Sequence, residues 1–403
     1  MMPTTEARAK PERKGGVAAA GGKARRRVGV RQLPALLPPL VTALPPLFWV
    51  ILASRCASLT PLGRDQGIFQ YVAWALARGE VDYADVRDVN GPLTHLVHRV
   101  FLMLGGADEH RFRLIDLAIT GATFAFVGAC LPGLGAIGPD AHHPGREWSH
   151  KRGDAWVERA CWALAGAVVL GAQYLLYGFW DLAQRESFFD WFMLPSVALQ
   201  LVAQARPAPA GARRQLVLLG VAGALSVVPW FGKPTYALFT LAQLAALVLD
   251  EPAPRGPNRR RDTLLAFASG GGIGAAALLA FLCACGDPLA LVRIQLHDIP
   301  AMYRFIWPRA ASDLLSDPWG ANQAAFAVAG AVVLAALIAM GELPRRALVV
   351  AVLPLCALGS VVAQAKGFPY HFHPVSSGIH LQWLLLVAWL AERNRVAQWR
   401  FSA

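Results

Sequence analysis

Apolar residues along the chain fall into blocks close to 20 residues long, and polar residues collect between these blocks. A helix needs roughly 20 apolar residues to cross a bilayer, because lipid offers its backbone no hydrogen-bond partners. The pattern therefore predicts an all-α integral membrane protein with about ten transmembrane helices. The predicted spans cover residues 33–55, 112–136, 157–179, 187–205, 215–231, 234–250, 263–284, 323–341, 347–365 and 375–391.

The first of these blocks is unusual because it is rich in proline. Its prolines are Pro34, Pro38, Pro39, Pro45 and Pro46. Proline removes a backbone donor and kinks a helix unless neighbouring groups compensate. The length and apolar character of the block nevertheless favour a span.

Composition agrees with a membrane protein, since 55% of the 403 residues are hydrophobic and 16% are charged. The net charge of +12 would suggest a nucleic-acid partner in a soluble protein, but here the basic residues follow the predicted topology. They recur in every second loop, which the positive-inside rule assigns to the cytoplasm together with both termini. We therefore expect no nucleic-acid partner. These basic residues are Arg25, Arg26, Arg27, Arg31, Lys151, Arg152, Arg213, Arg214, Arg259, Arg260, Arg261, Arg345, Arg346, Arg393 and Arg395.

The predicted organisation is one membrane domain, 33–393, between two cytoplasmic tails, 1–32 and 394–403. The N-terminal tail is rich in Ala, Gly, Lys and Arg and has too little apolar surface to offset the entropy of ordering, so we expect it to be disordered. The apolar block behind it is too long for a signal-peptide core and has no clear cleavage site. We expect it to remain as an anchor.

Six cysteines lie mostly within apolar segments and lack the spacing of a zinc site. We expect them to be buried as small hydrophobic residues without a redox function. They are Cys56, Cys130, Cys161, Cys283, Cys285 and Cys356.

Two long loops are predicted on the non-cytoplasmic face, at 56–111 and 285–322. The first loop has helical periodicity before Leu76 and again after Pro92. Both stretches are predicted to be amphipathic helices that lie along the membrane surface. They would hold the polar segments beside them at the interface between lipid and water.

Two motifs in the first loop carry acidic residues at defined places. Asp65 stands in Gly-Arg-Asp-Gln-Gly-Ile-Phe just after the first span, and Asp88 stands in Arg-Asp-Val-Asn-Gly-Pro-Leu before the second surface helix. The chain here resembles the GT-C superfamily of glycosyltransferases, in particular the bacterial protein mannosyltransferases and lipid A aminoarabinose transferases. The resemblance is best over 60–116 and fainter from there to about 380.

The resemblance implies transfer of a sugar from a polyprenyl-phosphate carrier to a glycan, lipid or protein acceptor on the periplasmic side of a bacterial inner membrane. Asp65 matches the family's central Asp, so it is expected to act as a general base or to bind a divalent metal, Mg²⁺ or Mn²⁺. Asp88 is expected to shape the loop or to orient a sugar hydroxyl. Because the sequence offers one principal candidate for a catalytic carboxylate and no evident nucleophile pair, the transfer is expected to invert the anomeric centre.

The sequence departs from the family at Asn90, where many relatives place a Lys. A lipid-phosphate leaving group needs cations or a metal, so other basic residues at the predicted outer ends of spans become candidates for substrate binding. These candidates are Arg64, Arg185, Lys233 and Lys366.

Later turns add further candidates, each with a structural alternative. Glu186, beside Arg185, is a possible second catalytic carboxylate or a helix-start residue favoured by the helix dipole. Lys233 binds phosphate or snorkels beside an interfacial Trp. Tyr370 and His371 line the donor pocket or anchor the chain at the interface.

The second long loop carries aromatic residues that stack on sugar rings or form a membrane-interface belt. They are Tyr303, Trp307 and Trp319. His371 and His373 stand two residues apart, which places them on opposite sides of an extended chain, so a shared metal is not expected.

Two other functions remain open. A non-catalytic transporter or flippase of lipid-linked sugars predicts ionisable residues deep in the spans, where Asp116 and Arg159 lie near span ends. A polysaccharide polymerase or ligase predicts key Arg and His residues in one large late loop, whereas the strongest motif here is early.

Overall fold

The computed structural model describes residues 33–132, 152–178, 180–205, 212–250, 258–306 and 308–402. The predicted N-terminal tail and Trp307 lie outside these ranges. All regular elements in the described ranges are helices. They are α1 (Leu33–Leu59), α2 (Arg64–Ala77), α3 (Pro92–Gly105), α4 (Glu109–Cys130), α5 (Arg152–Leu175), α6 (Arg185–Ala205), α7 (Ala212–Val227), α8 (Ala237–Leu249), α9 (Asn258–Cys285), α10 (Pro288–Arg293), α11 (Ile299–Tyr303), α12 (Ala311–Ser316), α13 (Pro318–Ala339), α14 (Leu348–Gln364) and α15 (His373–Ser402).

Eight helical segments of the described chain are long and apolar enough to cross a membrane, as expected of a multi-pass membrane protein. They correspond to α1, α4, α6, α7, α9, α13, α14 and α15 with their short flanking turns. The prediction of ten transmembrane helices is therefore not confirmed in this part of the chain. Helix α5 is not among the eight, and Pro234–Leu249 is apolar but shorter.

Helix α1 continues through Pro38, Pro39, Pro45 and Pro46. The side chain of Thr42 donates a hydrogen bond of 2.8 Å to the carbonyl oxygen of Pro38. This bond is a local contact of a helical threonine with the carbonyl oxygen one turn earlier, and it adds to the backbone hydrogen bonds of the helix. The predicted first span is thus a helix despite its prolines.

Small residues allow helices α7 and α9 to pack backbone against backbone. A Cβ atom added at Gly270 would lie 1.8 Å from the carbonyl oxygen of Gly220, and one at Gly223 would lie 1.9 Å from that of Phe267. Close approach through glycine is a common way to pack helices within lipid, where no hydrophobic effect drives association.

Two cysteines differ from the sequence prediction. Cys56 and Cys283 are exposed on their helices, and the remaining four are partly buried. The expectation of burial was wrong for these two because a membrane helix also carries apolar residues on its outward face. None of the six, all of which lie in the described part of the chain, forms a disulfide bond.

The two long polar loops pack against each other at one end of the helices. The amide of Asp82 donates to the carbonyl oxygen of Cys285, and the amide of Asp287 donates to the carbonyl oxygen of Asp82, both at 2.9 Å. Further along, the Gln295 amide group donates to the Val89 carbonyl oxygen at 3.1 Å. The loops therefore form one layer rather than two independent excursions.

Both helices predicted within the first loop are present, as α2 and α3. Each buries one face, and each leaves large apolar side chains exposed on the other. Such two-faced helices suit the boundary between lipid and water. The exposed apolar residues are Ile68, Tyr71 and Trp74 on α2 and Val100, Met103 and Leu104 on α3.

Candidate active site

A buried cluster of charged side chains lies where α6 begins. Glu186 is fully buried, and its Oε1 atom lies 3.1 Å from Nη2 of Arg185 and 3.6 Å from Nε2 of His371. The same oxygen forms an ion pair with Nζ of Lys233. Lys233 also donates to the side-chain oxygen of Gln364. Residues from three distant parts of the chain thus meet at one carboxylate.

Three polar atoms in this cluster are buried without a hydrogen-bond partner among the described residues. They are Nε of Arg185, Oε2 of Glu186 and Nδ1 of His371. An unsatisfied buried polar group costs about 1–3 kcal/mol, so native proteins rarely keep several together unless a ligand or water completes them. The cluster therefore has the character of a binding site for a polar group.

The protonation of Lys233 depends on what shares its site. Burial, and then the charge of Arg185, lower the pKa of Lys233 to about 7. An anionic ligand would favour the charged ammonium form and oppose both effects. The site is consequently suited to a phosphate or another anion.

A chain of hydrogen bonds connects this cluster to the first loop. Arg185 donates to Oδ1 of Asn90, and Nδ2 of Asn90 donates to both carboxylate oxygens of Asp88 at 2.9 Å. Asp88 in turn meets Nε2 of His95 at 2.8 Å. Asn90 therefore binds the guanidinium of Arg185 and connects it to Asp88.

His95 is fully buried on α3 between two carboxylates. Its Nδ1 atom lies 2.6 Å from Asp82, and its Nε2 atom binds Asp88 on the other side. Burial alone would lower the pKa of His95, but the hydrogen bonds and charges of Asp82 and Asp88 outweigh it and raise the pKa to about 9. His95 is thus a buried imidazolium that fixes the segment between α2 and α3.

The contacts of His95 with Asp82 and Asp88 predict that the folded protein becomes less stable as the pH rises. The His95 pKa of about 9 exceeds the ordinary value of 6.5, so the stabilisation is complete below 6.5 and is lost as the pH rises through 9. At about 1.4 kcal/mol per pKa unit, it amounts to on the order of 3 kcal/mol. We expect His95→Gln to lower the unfolding midpoint at pH 6.5.

Thermal unfolding of wild type and His95→Gln between pH 6.5 and pH 10 measures this effect. The two midpoints should approach each other as the pH rises, because the wild type loses the charge that the variant lacks. A difference that stays constant over this range would show that His95 is not charged in the folded protein.

Asp65 lies in the first turn of α2, and its side chain is 31% exposed. It contacts the neighbouring Arg64 at 3.8 Å, and Arg64 itself points to solvent with its side chain 82% exposed. A second carboxylate, Asp181, lies nearby. Burial and then the charge of Asp65 raise the pKa of Asp181 to about 6.

Buried side chains hold the two segments that carry these acids. Gln66 donates to the carbonyl oxygens of Trp180 and Leu182, the first at 3.1 Å. From α4, Arg113 donates to the carbonyl oxygens of Pro61, at 2.9 Å, and Leu182, at 3.5 Å. The chain around Asp65 is therefore tied directly to the chain around Asp181.

Lys366 and Tyr370 lie in the turn between α14 and α15, but they have different contacts. The ammonium of Lys366 donates to the carbonyl oxygens of Tyr303 and Ile306 and lies 4.4 Å from the Tyr303 ring centroid. Tyr370 packs edge-on against His371 at 4.7 Å. The charges of Glu186, Arg185 and Asp65 all reach its hydroxyl.

The sequence-derived candidates therefore divide into three groups. One group forms the buried cluster and its connection to the loop: Asp88, Asn90, Arg185, Glu186, Lys233 and His371. Asp65 and Tyr370 lie beside this cluster, within its electrostatic reach. Arg64 and Lys366 make their described contacts elsewhere.

Sequence reasoning missed His95 and Asp181 as site residues. No spacing pattern pairs His95 with Asp82, since their contact depends on the tertiary path of the loop. For Asp181 the sequence held one weak indication, namely its place four residues before the candidate residue Arg185.

The described residues contain no group of three or more His, Cys, Asp or Glu side chains arranged to hold a metal ion. His371 and His373 have separate partners, since Nε2 of His373 lies 2.8 Å from the carbonyl oxygen of Asp181. Asp65, the expected metal ligand, has Asp181 within electrostatic reach. One or two carboxylates together with a substrate phosphate can hold Mg²⁺.

No model of a known protein family matches the chain, and neither a curated protein nor a solved structure matches it.

Proposed function

We propose that the protein is an integral membrane glycosyltransferase of the GT-C type that uses a polyprenyl-phosphate sugar as donor. The observation that carries this proposal is the buried cluster of Arg185, Glu186, Lys233 and His371, which retains unsatisfied polar atoms beside the acidic pair Asp65 and Asp181. A cationic centre next to carboxylates combines the two requirements of sugar transfer, namely a place for a phosphate and a base for a hydroxyl.

In the proposed reaction the acceptor hydroxyl oxygen attacks the anomeric carbon of the donor. The bond from that carbon to the phosphate oxygen breaks, and its electron pair stays on the phosphate. Asp65 takes the hydroxyl proton, while Arg185 and Lys233 stabilise the charge that develops on the leaving polyprenyl phosphate. A single displacement of this kind inverts the anomeric configuration.

A divalent metal is compatible with the acidic pair. Asp65 and Asp181 would be the residues that hold Mg²⁺ or Mn²⁺, and the ion would supply positive charge to the donor phosphate. Arg185 and Lys233 would stabilise the phosphate in the same way with or without the ion.

Basic loops at the opposite ends of the helices support a bacterial inner-membrane location with both termini in the cytoplasm. Ten crossings would account for this arrangement, with α5 and Pro234–Leu249 added to the eight apolar helices. The candidate active site then faces the periplasm.

The transporter alternative draws support from Asp190, which is 1% exposed within α6 and accepts a 2.7 Å hydrogen bond from Ser377. An ionisable residue within a span is often functional. Asp190 nevertheless lies within two turns of the outer end of its helix, close to the proposed active site.

A transfer assay separates the two functions. Purified protein in nanodiscs would be incubated with a panel of radiolabelled polyprenyl-phosphate sugars and with candidate glycan, lipid and peptide acceptors. The proposal predicts a labelled glycoside and an equal amount of free polyprenyl phosphate. Movement of intact donor between the leaflets of proteoliposomes, without product from any donor, would instead establish the transporter.

A further inference from the structure

A cavity lies between the second long loop and the turn that joins α14 to α15, and its lining residue Phe372 directly follows His371 of the charged cluster. Its volume is about 540 Å³, within the range of roughly 300–1,000 Å³ that is usual for small-molecule sites. Arg309, Asp317 and Lys366 supply its charged groups, and Trp319, Phe368 and Phe372 supply its aromatic walls.

The cations of this cavity are already compensated. Arg309 lies 3.6 Å from Asp317, and the ammonium of Lys366 donates to two backbone carbonyl oxygens above the Tyr303 ring. A phosphate would gain little here, because it would have to compete with these partners. The Arg185 cluster differs because the guanidinium there, although paired with Glu186, keeps a buried Nε donor without a partner in the described chain.

A neutral polyhydroxyl ligand suits the same surroundings well. A pyranose ring presents C–H faces that pack on aromatic rings, and its rim of hydroxyls both donates and accepts hydrogen bonds. Trp319 is 40% exposed and so remains open for stacking. The adjacent Arg309 guanidinium supplies donors, and the Asp317 carboxylate supplies acceptors.

The wall formed by Trp319 leads toward the acidic pair. Trp319 packs edge-on against Tyr177 at 5.7 Å, and Tyr177 stacks on His373 at 3.7 Å. His373 in turn holds the carbonyl oxygen of Asp181. A sugar held at Trp319 would thus lie on the side of the segment that carries Asp181, which is within electrostatic reach of the proposed base Asp65.

We infer that this cavity binds a sugar ring of the acceptor, with Trp319 as the stacking platform and the Arg309–Asp317 pair as hydroxyl partners. The inference rests on the proposed function for the role of acceptor. Saccharide binding itself does not require catalysis.

Saccharide binding to the purified full chain can be measured by saturation-transfer-difference NMR with a panel of methyl pyranosides. We expect at least one pyranoside to bind, and we expect Trp319→Ala to weaken it about tenfold, the loss of one good aromatic contact. Trp383→Ala is the matched control, because Trp383 is exposed to a similar extent, 43%, but does not line the cavity.

Binding of polyprenyl phosphate by the same variants identifies the ligand class. The inference predicts that Trp319→Ala leaves polyprenyl-phosphate binding unchanged. Failure of every pyranoside to bind would overturn it, as would a Trp319→Ala variant that loses polyprenyl-phosphate binding but keeps its sugar. If sugar binding behaves as expected while no donor supports transfer, the proposed function fails and the saccharide site stands.

Discussion

Asp65→Asn is expected to lower kcat for sugar transfer by about 10²- to 10⁴-fold, the usual contribution of a general base. The amide cannot accept the acceptor proton, yet it has nearly the same shape as the carboxylate. Stability should change by less than about 1 kcal/mol, because Asp65 is partly exposed and only its place in the first turn of α2 favours a negative charge.

Initial rates at saturating donor and acceptor measure this effect, and thermal unfolding verifies the fold. Glu80→Gln is a suitable control, since Glu80 is an exposed carboxylate of the same loop just beyond α2. We expect Glu80→Gln to transfer sugar at the wild-type rate. A transfer rate of Asp65→Asn within a few-fold of the wild-type rate would show that Asp65 is not the general base.

Glu186→Gln is expected to cost about 3–5 kcal/mol of stability, because it leaves Arg185 and Lys233 buried without their carboxylate. Transfer should be lost as well, since these two cations would no longer be held in position. Asp190→Asn is the matched control. Asp190 is equally buried one turn further along α6, but its described partner is the neutral hydroxyl of Ser377.

A double-mutant cycle with Lys233→Met isolates the ion pair from other effects of the substitution. Removing both charges should cost less than the sum of the two single changes, because the double variant leaves one cation fewer uncompensated. Equal losses in Glu186→Gln and Asp190→Asn, with additive effects in the cycle, would contradict a stabilising role for the cluster.

The sequence predicted the helices well because the physics of a lipid-embedded helix is local. An apolar block of the right length specifies a span by itself, and each of the ten predicted spans overlaps a helix of the structure. Alternation of the loops also predicted that Glu186, Lys233 and His371 would lie at the same ends of their helices. The contacts of Lys233 and His371 with Glu186 agree with that arrangement, but they also require the three helix ends to be neighbours in the fold.

The connection through His95 could not be predicted in this way. Asp82 and Asp88 reach the same imidazole only because the segment between α2 and α3 folds back on itself, and backbone hydrogen bonds fasten Asp82 to Cys285 and Asp287. Such long-range contacts leave no periodic trace in a single sequence. Asn90 makes another long-range contact of this kind, because it accepts a hydrogen bond from Arg185.

The most direct test of the proposed function is transfer in proteoliposomes whose protein has a known orientation. Donor would be present in both leaflets, and a water-soluble acceptor would be supplied on one side at a time. We expect product only when the acceptor is on the side of Asp65 and Glu186, opposite the basic loops that contain Arg213 and Arg345. Product formed with acceptor on the side of the basic loops would contradict this placement, and intact donor under both conditions would contradict the proposed reaction.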